Sequence, residues 1–203
     1  MGIHVTALVD PTAQIHESAA IGAFSVIGPR VVIGADTYVG THCVLGGPPE
    51  HREHWHSWNY GVQIGDRCYI SNHVTIDAGT AHDTIVDHDC IILRHAHCGH
   101  DSVIGYGTVL SCNVLVGGHT IVMPYANLGL GSIVHQNHLV GAGAMLGMGC
   151  VVPKSVDIVP GNIYVGNPAK LLKPNKIGLE RAGISGEQLL EYVEQWQKLK
   201  SQR

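Results

Sequence analysis

The sequence predicts an all-β solenoid, a parallel β-helix whose short strands wind around one core, followed by a short C-terminal α-helical tail. Two features of the composition favour this class. The 203 residues include 26 glycines, which suit many tight turns, and only one Phe although 45% of the residues are hydrophobic. The third observation, a six-residue repeat of aliphatic side chains, identifies the solenoid.

Aliphatic residues recur at every sixth position through most of the chain. The first run is Val9, Ile15, Ile21, Ile27, Ile33, Val39 and Leu45, and a second is Ile64, Ile70 and Ile76. The third run has no slip and consists of Val86, Ile92, Cys98, Ile104, Leu110, Val116, Val122, Leu128, Val134, Val140, Leu146, Val152 and Ile158. An α-helix would scatter these side chains around its circumference, whereas strands that turn every six residues keep all of them inside.

Three hexads make an 18-residue triangular coil, and successive coils stack at the strand spacing of about 4.7 to 4.9 Å. The count does not define the hand of the coil. However, glycine follows each core residue from Ile21 to Leu45, and this [Ile/Val/Leu]-Gly-x-x-x-x pattern resembles the hexapeptide-repeat proteins. That resemblance implies a left-handed parallel β-helix.

The cysteines fit the same coil. Cys43, Cys68, Cys90 and Cys150 each come four places after a core residue, where the repeat takes small inward side chains. We therefore expect buried, reduced thiols, which are typical of a cytoplasmic protein.

Two segments interrupt the repeat, and a third follows it. We assign residues 1–166 to the β-helix, with loop insertions at about 47–61 and 77–84, and residues 167–203 to a mainly helical C-terminal extension. In the extension, Ser185 and Gln188 match a capping box. An apolar stripe at helical spacing, which predicts packing on protein, comprises Leu189, Tyr192, Val193, Trp196 and Leu199.

The charge pattern limits the classes of ligand that this protein is expected to bind. A net charge of −4, with 14% charged residues, offers no broad basic face for nucleic acid. We also find no apolar stretch of the signal-peptide or membrane-spanning type. Small molecules are the expected partners.

Histidines gather on one edge of the predicted prism. His100 comes two places after Cys98, so the 18-residue stacking places Gly118 one coil above it and Gln136 two coils above. Their neighbours Asp101, His119 and His135 join the same edge. His100 then has the position of a general base, and Asp101 is placed to orient it. The Gly118 N–H has the position of an oxyanion donor. This combination favours direct acyl transfer to a hydroxyl or an amine, without a covalent enzyme intermediate, a metal or a permanently bound cofactor.

Several short motifs resemble, in order and spacing, the UDP-N-acetylglucosamine O-acyltransferases of lipid A synthesis. They are "HAHCGHDSVIG" at 95–105, "GGH" at 117–119, "VHQ" at 134–136 and "GLERAGIS" at 178–185. The resemblance implies that His100 deprotonates the sugar, that Asp101 and Gly118 assist it, and that the acyl donor is an acyl carrier protein or coenzyme A thioester. It also implies a homotrimer with active sites between subunits, and substrate contacts from His97, His119, His135, Gln136, Asn175 and Arg181.

Departures from the family pattern bear on the substrates. Met148 stands where members that use long acyl chains have glycine, and Pro168 replaces another residue that gauges chain length. We expect a short- or medium-chain acyl group, with a 3-hydroxyacyl group among the candidates. "EHRE" at 50–53 replaces an Asp and Lys pair of the first loop, and Ile177 replaces an acidic residue of the nucleotide pocket. The sequence therefore does not identify the sugar.

Two other classes remain as alternatives. His95 and His100 have the His-x-x-x-x-His spacing that, on this fold, resembles the γ-class carbonic anhydrases, although a third histidine ligand is missing at position 59. A noncatalytic sugar-binding solenoid is the other alternative, because a fold alone does not prove an activity.

Overall fold

The computed structural model describes residues 2–202 and has the left-handed parallel β-helix of about nine turns that the repeat and its resemblance predict. Its strands form three sheets, which we call faces 1, 2 and 3 in the order in which the chain visits them. Face 1 has eight strands, face 2 has seven and face 3 has nine.

The strands are short, and most have two residues. Face 1 contains β1 (Leu8–Val9), β4 (Val26–Ile27), β7 (Val44–Gly47), β10 (Thr75–Asp77), β13 (His97–Cys98), β16 (Leu115–Val116), β19 (Ile133–Val134) and β22 (Val151–Val152). Face 2 contains β2 (Gln14–Ile15), β5 (Val31–Ile33), β8 (Val62–Ile64), β11 (Thr84–Val86), β14 (Val103–Ile104), β17 (Ile121–Val122) and β20 (Leu139–Val140). Face 3 contains β3 (Ala20–Ile21), β6 (Tyr38–Val39), β9 (Tyr69–Ile70), β12 (Ile91–Ile92), β15 (Val109–Leu110), β18 (Asn127–Leu128), β21 (Met145–Leu146), β23 (Asn162–Val165) and β24 (Lys170–Pro174).

The register between coils follows the predicted repeat and departs from it at the insertions. Ile91 pairs with Val109, 18 residues on. Thr75 instead pairs with His97, a separation of 22 residues. Residues 78–83 and 48–61 join strands at these breaks. The ladders stay parallel around the insertions, although the pairing of β7 with β10 shifts in register between Ile76 and Asp77.

The core is filled by the repeating aliphatic side chains. Ile70, Ile92, Leu110 and Leu128 are completely buried, and the repeat residues of the other faces are buried from Ile27 to Ile158. Cys43, Cys68, Cys90 and Cys150 are buried free thiols, which confirms their predicted inward position. Burial raises the pKa of the Cys43 thiol. These cysteines therefore act as small apolar side chains.

The three corners of the coil, named 1–2, 2–3 and 3–1 after the faces that they join, share one backbone feature. In most coils the third residue after the core residue lies in the left-handed region, as at His95 (φ 61°), Asp101 (φ 59°) and His119 (φ 56°). Asp, Asn and His tolerate this region better than β-branched residues do. Polar side chains therefore repeat, coil after coil, along each corner.

The C-terminal extension folds back on the prism. Strand β24 pairs antiparallel with β23, and helices α1 (Lys176–Arg181) and α2 (Gly186–Ser201) follow. The Ser185 hydroxyl caps α2 by accepting the Gln188 N–H at 3.1 Å. Trp196 of α2 is buried in a cluster with Met123, Leu139 and Ala142. The apolar stripe therefore packs on this chain's own solenoid, in agreement with its predicted packing on protein.

Two elements of the extension were not expected from the sequence, namely β24 and the short helix α1. Both lie in a Pro- and Gly-containing segment without apolar periodicity, and their ends are fixed by tertiary contacts. Among residues 2–202, neither helix combines the length and apolar character needed to traverse a lipid bilayer.

Candidate active site

His100 and Asp101 form the centre of the site, at corner 1–2 between β13 and β14. His100 Nδ1 lies 2.6 Å from Asp101 Oδ2, and both residues are buried. Because an ionised carboxylate only accepts hydrogen bonds, the proton of this pair lies on Nδ1. Nε2 is then the nitrogen left to accept a proton from a substrate.

Asp101 is held as a carboxylate by an unusually complete set of donors. Its Oδ1 accepts the N–H groups of Thr80, Ala81 and His82 at 2.7 to 3.0 Å, and its Oδ2 accepts the Thr80 hydroxyl at 2.7 Å. Burial alone would raise the pKa of the Asp101 carboxyl, but the Ala81, His100 and Thr80 hydrogen bonds outweigh it and hold the pKa well below its usual range. The second insertion, which supplies these donors, is therefore the support of the His100–Asp101 pair.

Two glycines keep space open beside the base. A Cβ added to Gly118 would lie 2.8 Å from His100 Nε2, and one added to Gly99 would lie 2.7 Å from the Gly118 nitrogen. Within residues 2–202 the Gly118 N–H makes no hydrogen bond. The structure thus brings His100 Nε2 and an unsatisfied backbone donor to one place, as the coil register predicts.

The other predicted residues of this corner lie in the coils above. His119 Nε2 is 3.6 Å from Asp101 Oδ2, and its ring stands edge-on to that of His100 at 5.0 Å between centroids. Burial is the main reason that the pKa of His119 is lowered. His135 and Gln136 are exposed two coils above His100. They therefore border the site and do not enclose it.

A groove of about 620 Å³ runs from this corner along face 2 to helix α2. Asp101 and His119 line one end of it, and Trp196 and Lys200 line the other. The corner is thus open towards solvent on this side.

A second acidic group, which the coil register did not predict, lies beside the base. Asp77, at the end of β10, is 7% exposed, and its Oδ2 lies 3.9 Å from Nε2 of His97. His97 Nδ1 also bonds the Thr75 hydroxyl at 2.8 Å. The first insertion reaches the same place, because Glu50 donates its N–H to Asp77 at 3.3 Å and the His51 ring stands edge-on to that of His100.

A signal for Asp77 was present in the sequence. It follows the core residue Ile76 directly, as Gly99 follows Cys98. The insertion that separates them lengthens the coil, so counting by 18 does not bring Asp77 beside His100.

Asn175 and Arg181 lie elsewhere on the chain, at a pocket of about 730 Å³ between corner 2–3 and helix α1. The Asn175 amide caps α1 by accepting the Gly178 N–H at 3.1 Å, and it donates to the Gly143 carbonyl at 2.9 Å. Ile177 and Tyr125 also line this pocket. Within one chain, the structure therefore does not bring the two residues to His100, and Asn175 already has a structural role.

Met148 and Pro168 also lie away from His100, towards corner 3–1. Met148 is 76% exposed in the turn before β22. Pro168 lies between β23 and β24, next to Ala169, which bonds the Val151 carbonyl of β22. The outward side chains Leu115 and Ile133 of face 1 are exposed between Met148 and the base. They make an apolar strip across this face.

His95, the residue behind the zinc-enzyme alternative, occupies corner 3–1. It stacks on His73, which stacks on His42, with centroids 4.9 and 5.0 Å apart. In the described part of the chain, two groups have the arrangement of metal ligands: His82, Asp101 and His119, and Glu50, Asp77 and His97. Neither contains the pair His95 and His100.

The fold and the base-bearing corner define a class, the hexapeptide-repeat transferases. In agreement, residues 12–47 match the family model described as "Bacterial transferase hexapeptide (six repeats)". An acyl-[acyl-carrier-protein]–UDP-N-acetylglucosamine O-acyltransferase of Stutzerimonas stutzeri is 36% identical over 203 aligned positions, which cover 89% of this chain and 77% of that relative. The chain therefore belongs to the UDP-N-acetylglucosamine O-acyltransferase family.

Two further comparisons agree. The Agrobacterium fabrum enzyme of the same name is 35% identical over 144 residues, which cover 70% of this chain and 52% of the relative. The chain thus spans about half the length of several curated relatives that it matches. The crystal structure of the Francisella novicida UDP-N-acetylglucosamine acyltransferase superposes with a TM-score of 0.78 at 30% identity, covering 95% of this chain and 77% of that one.

Proposed function

We propose that this protein transfers an acyl group from an acyl carrier protein or coenzyme A thioester to a hydroxyl or amine of a nucleotide-activated sugar such as UDP-N-acetylglucosamine. The observation that carries the proposal is the joint placement of His100 Nε2 and the unsatisfied Gly118 N–H at one corner. A base and an oxyanion donor are the two groups that direct acyl transfer needs. Both are protein groups, so the reaction requires no bound cofactor.

In this mechanism His100 Nε2 takes the proton of the sugar nucleophile as it attacks the thioester carbonyl. The Gly118 N–H stabilises the oxyanion of the tetrahedral intermediate, and the imidazolium gives its proton to the departing thiolate as the C–S bond breaks. Asp101, 2.6 Å from Nδ1, orients the ring and stabilises its cationic form. His119 lies at the same carboxylate and would contact substrate, with His97, His135 and Gln136 around it.

We place the acyl chain along the apolar strip of face 1, which leads from His97 past Leu115 and Ile133 towards Met148. Three coil spacings separate His97 from Val151 on this face, or about 14 Å. Met148 and Pro168 would limit the far end of the chain. A short or medium acyl group, including a 3-hydroxyacyl group, fits this length.

We propose a homotrimer for two reasons. The exposed apolar side chains of face 1 need a cover, which a second copy would provide. In addition, the Asn175 and Arg181 pocket lies on a different part of the chain from His100, so one sugar nucleotide would reach both only across a subunit interface. Arg181, exposed at the end of α1, would then bind the nucleotide. The buried free thiols support a cytoplasmic location.

The test is a mass-spectrometric assay of the purified protein with UDP-N-acetylglucosamine and acyl thioesters of graded length, alongside its mass in solution. Transfer that peaks at a short or medium chain, in a trimer, supports the proposal. Met148→Gly should then move the preference to longer chains, whereas Leu172→Ala, at an exposed residue of β24, should not. Sugar binding without transfer from any donor would favour a noncatalytic solenoid, and stoichiometric zinc at His100 would favour the carbonic anhydrase class.

A further inference from the structure

Two buried carboxylates lie beside His100, and they differ sharply in how well they are satisfied. Asp101 has four donors on its oxygens besides His100. Asp77 accepts a single longer hydrogen bond, the Glu50 N–H at 3.3 Å, and within residues 2–202 no hydrogen bond reaches its Oδ1. A carboxylate that is buried without donors is unstable as an anion unless a cation pairs with it.

A second acid, Glu50, lies beside Asp77, and the basic groups that act on the Asp77 carboxyl are the imidazoles of His97 and His100. Ligand atoms of Glu50, Asp77 and His97 all lie within 4.8 Å of one another. Burial raises the pKa of the Asp77 carboxyl, and the nearby Glu50 raises it further, while His97 opposes this rise. The pair is therefore ready to accept a positive group from a ligand.

The acidic pair also lies at the reacting centre. β10 pairs with β13 so that Ile76 faces Cys98, which places Asp77 one coil below Gly99 and next to His100. Glu50 is followed by His51, whose ring is 5.3 Å from that of His100. A sugar whose nucleophile approaches His100 Nε2 from this side meets Asp77 and Glu50.

We infer that Asp77 and Glu50 form a receptor for an ammonium group, so that the preferred acyl acceptor is an amino sugar that is acylated on nitrogen. This inference rests on the proposed acyl transfer and names its acceptor. A carboxylate pair favours an ammonium over a hydroxyl because both partners of the hydrogen bond are then charged and attract each other, whereas a hydroxyl brings no charge of its own.

The protein groups named here account for every proton that moves in the reaction. The sugar ammonium gives one proton to Asp77 and becomes a free amine, whose lone pair forms the C–N bond with the thioester carbonyl. The nitrogen passes its second proton to His100 Nε2, and the imidazolium delivers that proton to the thiolate as the C–S bond breaks. Asp77 releases its proton to water with the amide product.

The experiment compares UDP-N-acetylglucosamine with analogues in which one ring hydroxyl is replaced by an amine, using one acyl thioester throughout. The full chain, Asp77→Asn and Glu50→Gln are assayed by product mass, and binding of the same sugars is measured by calorimetry. Asp36→Asn is the matched control, because Asp36 is exposed at corner 2–3 in a left-handed conformation that Asn also tolerates.

We expect the unchanged protein to prefer an amine acceptor in kcat/KM by about 10- to 100-fold, the range of a charge-assisted hydrogen bond. Asp77→Asn should remove this preference by raising KM and lowering kcat for the amine, and Asp36→Asn should leave it intact. Equal use of both acceptors, or an equal loss on both in Asp77→Asn, would overturn the inference.

Binding separates failure of this inference from failure of the proposed function. If neither sugar is acylated, the proposed function fails, yet tighter binding of the amine that disappears in Asp77→Asn still supports the ammonium receptor. If the two sugars bind equally well, the ammonium receptor is overturned as well. Stoichiometric binding of Zn²⁺ or Mg²⁺ that requires Asp77, without a preference for the amine, would assign the cluster to a metal and overturn it too.

Discussion

Two corners of the same prism are rich in histidine, and they have opposite characters. At corner 1–2, His100 and His119 gather around the buried Asp101. At corner 3–1, His42, His73 and His95 are exposed and stack on one another. In both sets the histidines lie in successive coils with their rings in contact, so stacked histidines alone do not distinguish the two corners.

The difference comes from what the neighbouring coil supplies. Below His100, the insertion between β10 and β11 brings three backbone N–H groups and a hydroxyl to Asp101. Residues 78–83 also lie between His73 and His95 along the chain, but they project at corner 1–2, and the two imidazoles at corner 3–1 stack on one another. A corner thus becomes a catalytic candidate when an inserted loop fixes a charge beside its histidine.

The largest expected effect separates the two corners directly. His100→Ala should lower acyl transfer by about 100- to 10,000-fold, the contribution of a general base, because no other group replaces Nε2. His95→Asn is the matched control, since Asn113 occupies the same place one coil above. Initial rates under identical donor and acceptor concentrations measure both. Comparable losses in the two variants would mean that the corners do not differ in function.

Asp101→Asn should have the next largest effect, at least about 100-fold on kcat, because the amide no longer stabilises the imidazolium. It should also lower stability at neutral pH. Since the folded-state pKa of Asp101 lies below the unfolded value, its contribution is present above about pH 4 and is lost as the pH falls through the folded-state value. The Tm difference between the two proteins should therefore shrink below pH 4. A constant difference across pH would contradict this origin.

Gly118→Ala should lower kcat by about 10- to 100-fold, because its Cβ would lie 2.8 Å from His100 Nε2 and displace the ring. Gly118 has no positive φ, so the backbone accepts alanine and Tm should change little. Gly186→Ala, where a Cβ meets nothing within 4 Å, controls for the substitution itself. Full activity in Gly118→Ala would show that Gly118 takes no part in the reaction.

The smallest effect is expected at corner 3–1. Desolvation, then the neighbouring His42 and His95, lower the pKa of His73. A lowered histidine pKa means that stability is fully present above the unfolded value of about 6.5 and decreases as the pH falls through the folded-state value. His73→Asn should therefore lose slightly less stability than the unchanged protein between pH 7 and pH 5, measured by urea unfolding. A steeper loss in the variant would exclude mutual repulsion within the stack.

The sequence alone was sufficient to predict residue positions wherever a coil has 18 residues. Counting along the repeat placed His100, Gly118 and Gln136 on one corner and assigned Cys43 and Cys150 to the core, because the parallel ladder fixes the position of every residue in a regular coil. It also located the cap of α2 at Ser185, a local hydrogen bond.

Prediction failed where an insertion or a tertiary contact sets the position. Asp77 and Glu50 reach His100 only through coils that insertions have lengthened, and their separation along the chain does not encode the loop path. Strand β24 exists because β23 offers it an unpaired edge. Asn175 carries no sign in the sequence that its amide is engaged by Gly143 and Gly178.

The stacking of coils has a consequence for how such a protein changes over evolutionary time. Each coil contacts chiefly the coils above and below it, so the free-energy effect of a substitution at one corner is weakly coupled to the others. Exposed corners can then diverge with little cost while His100 and Asp101 keep their geometry. A lineage can adopt a new substrate by altering one loop, leaving the inherited scaffold as it was.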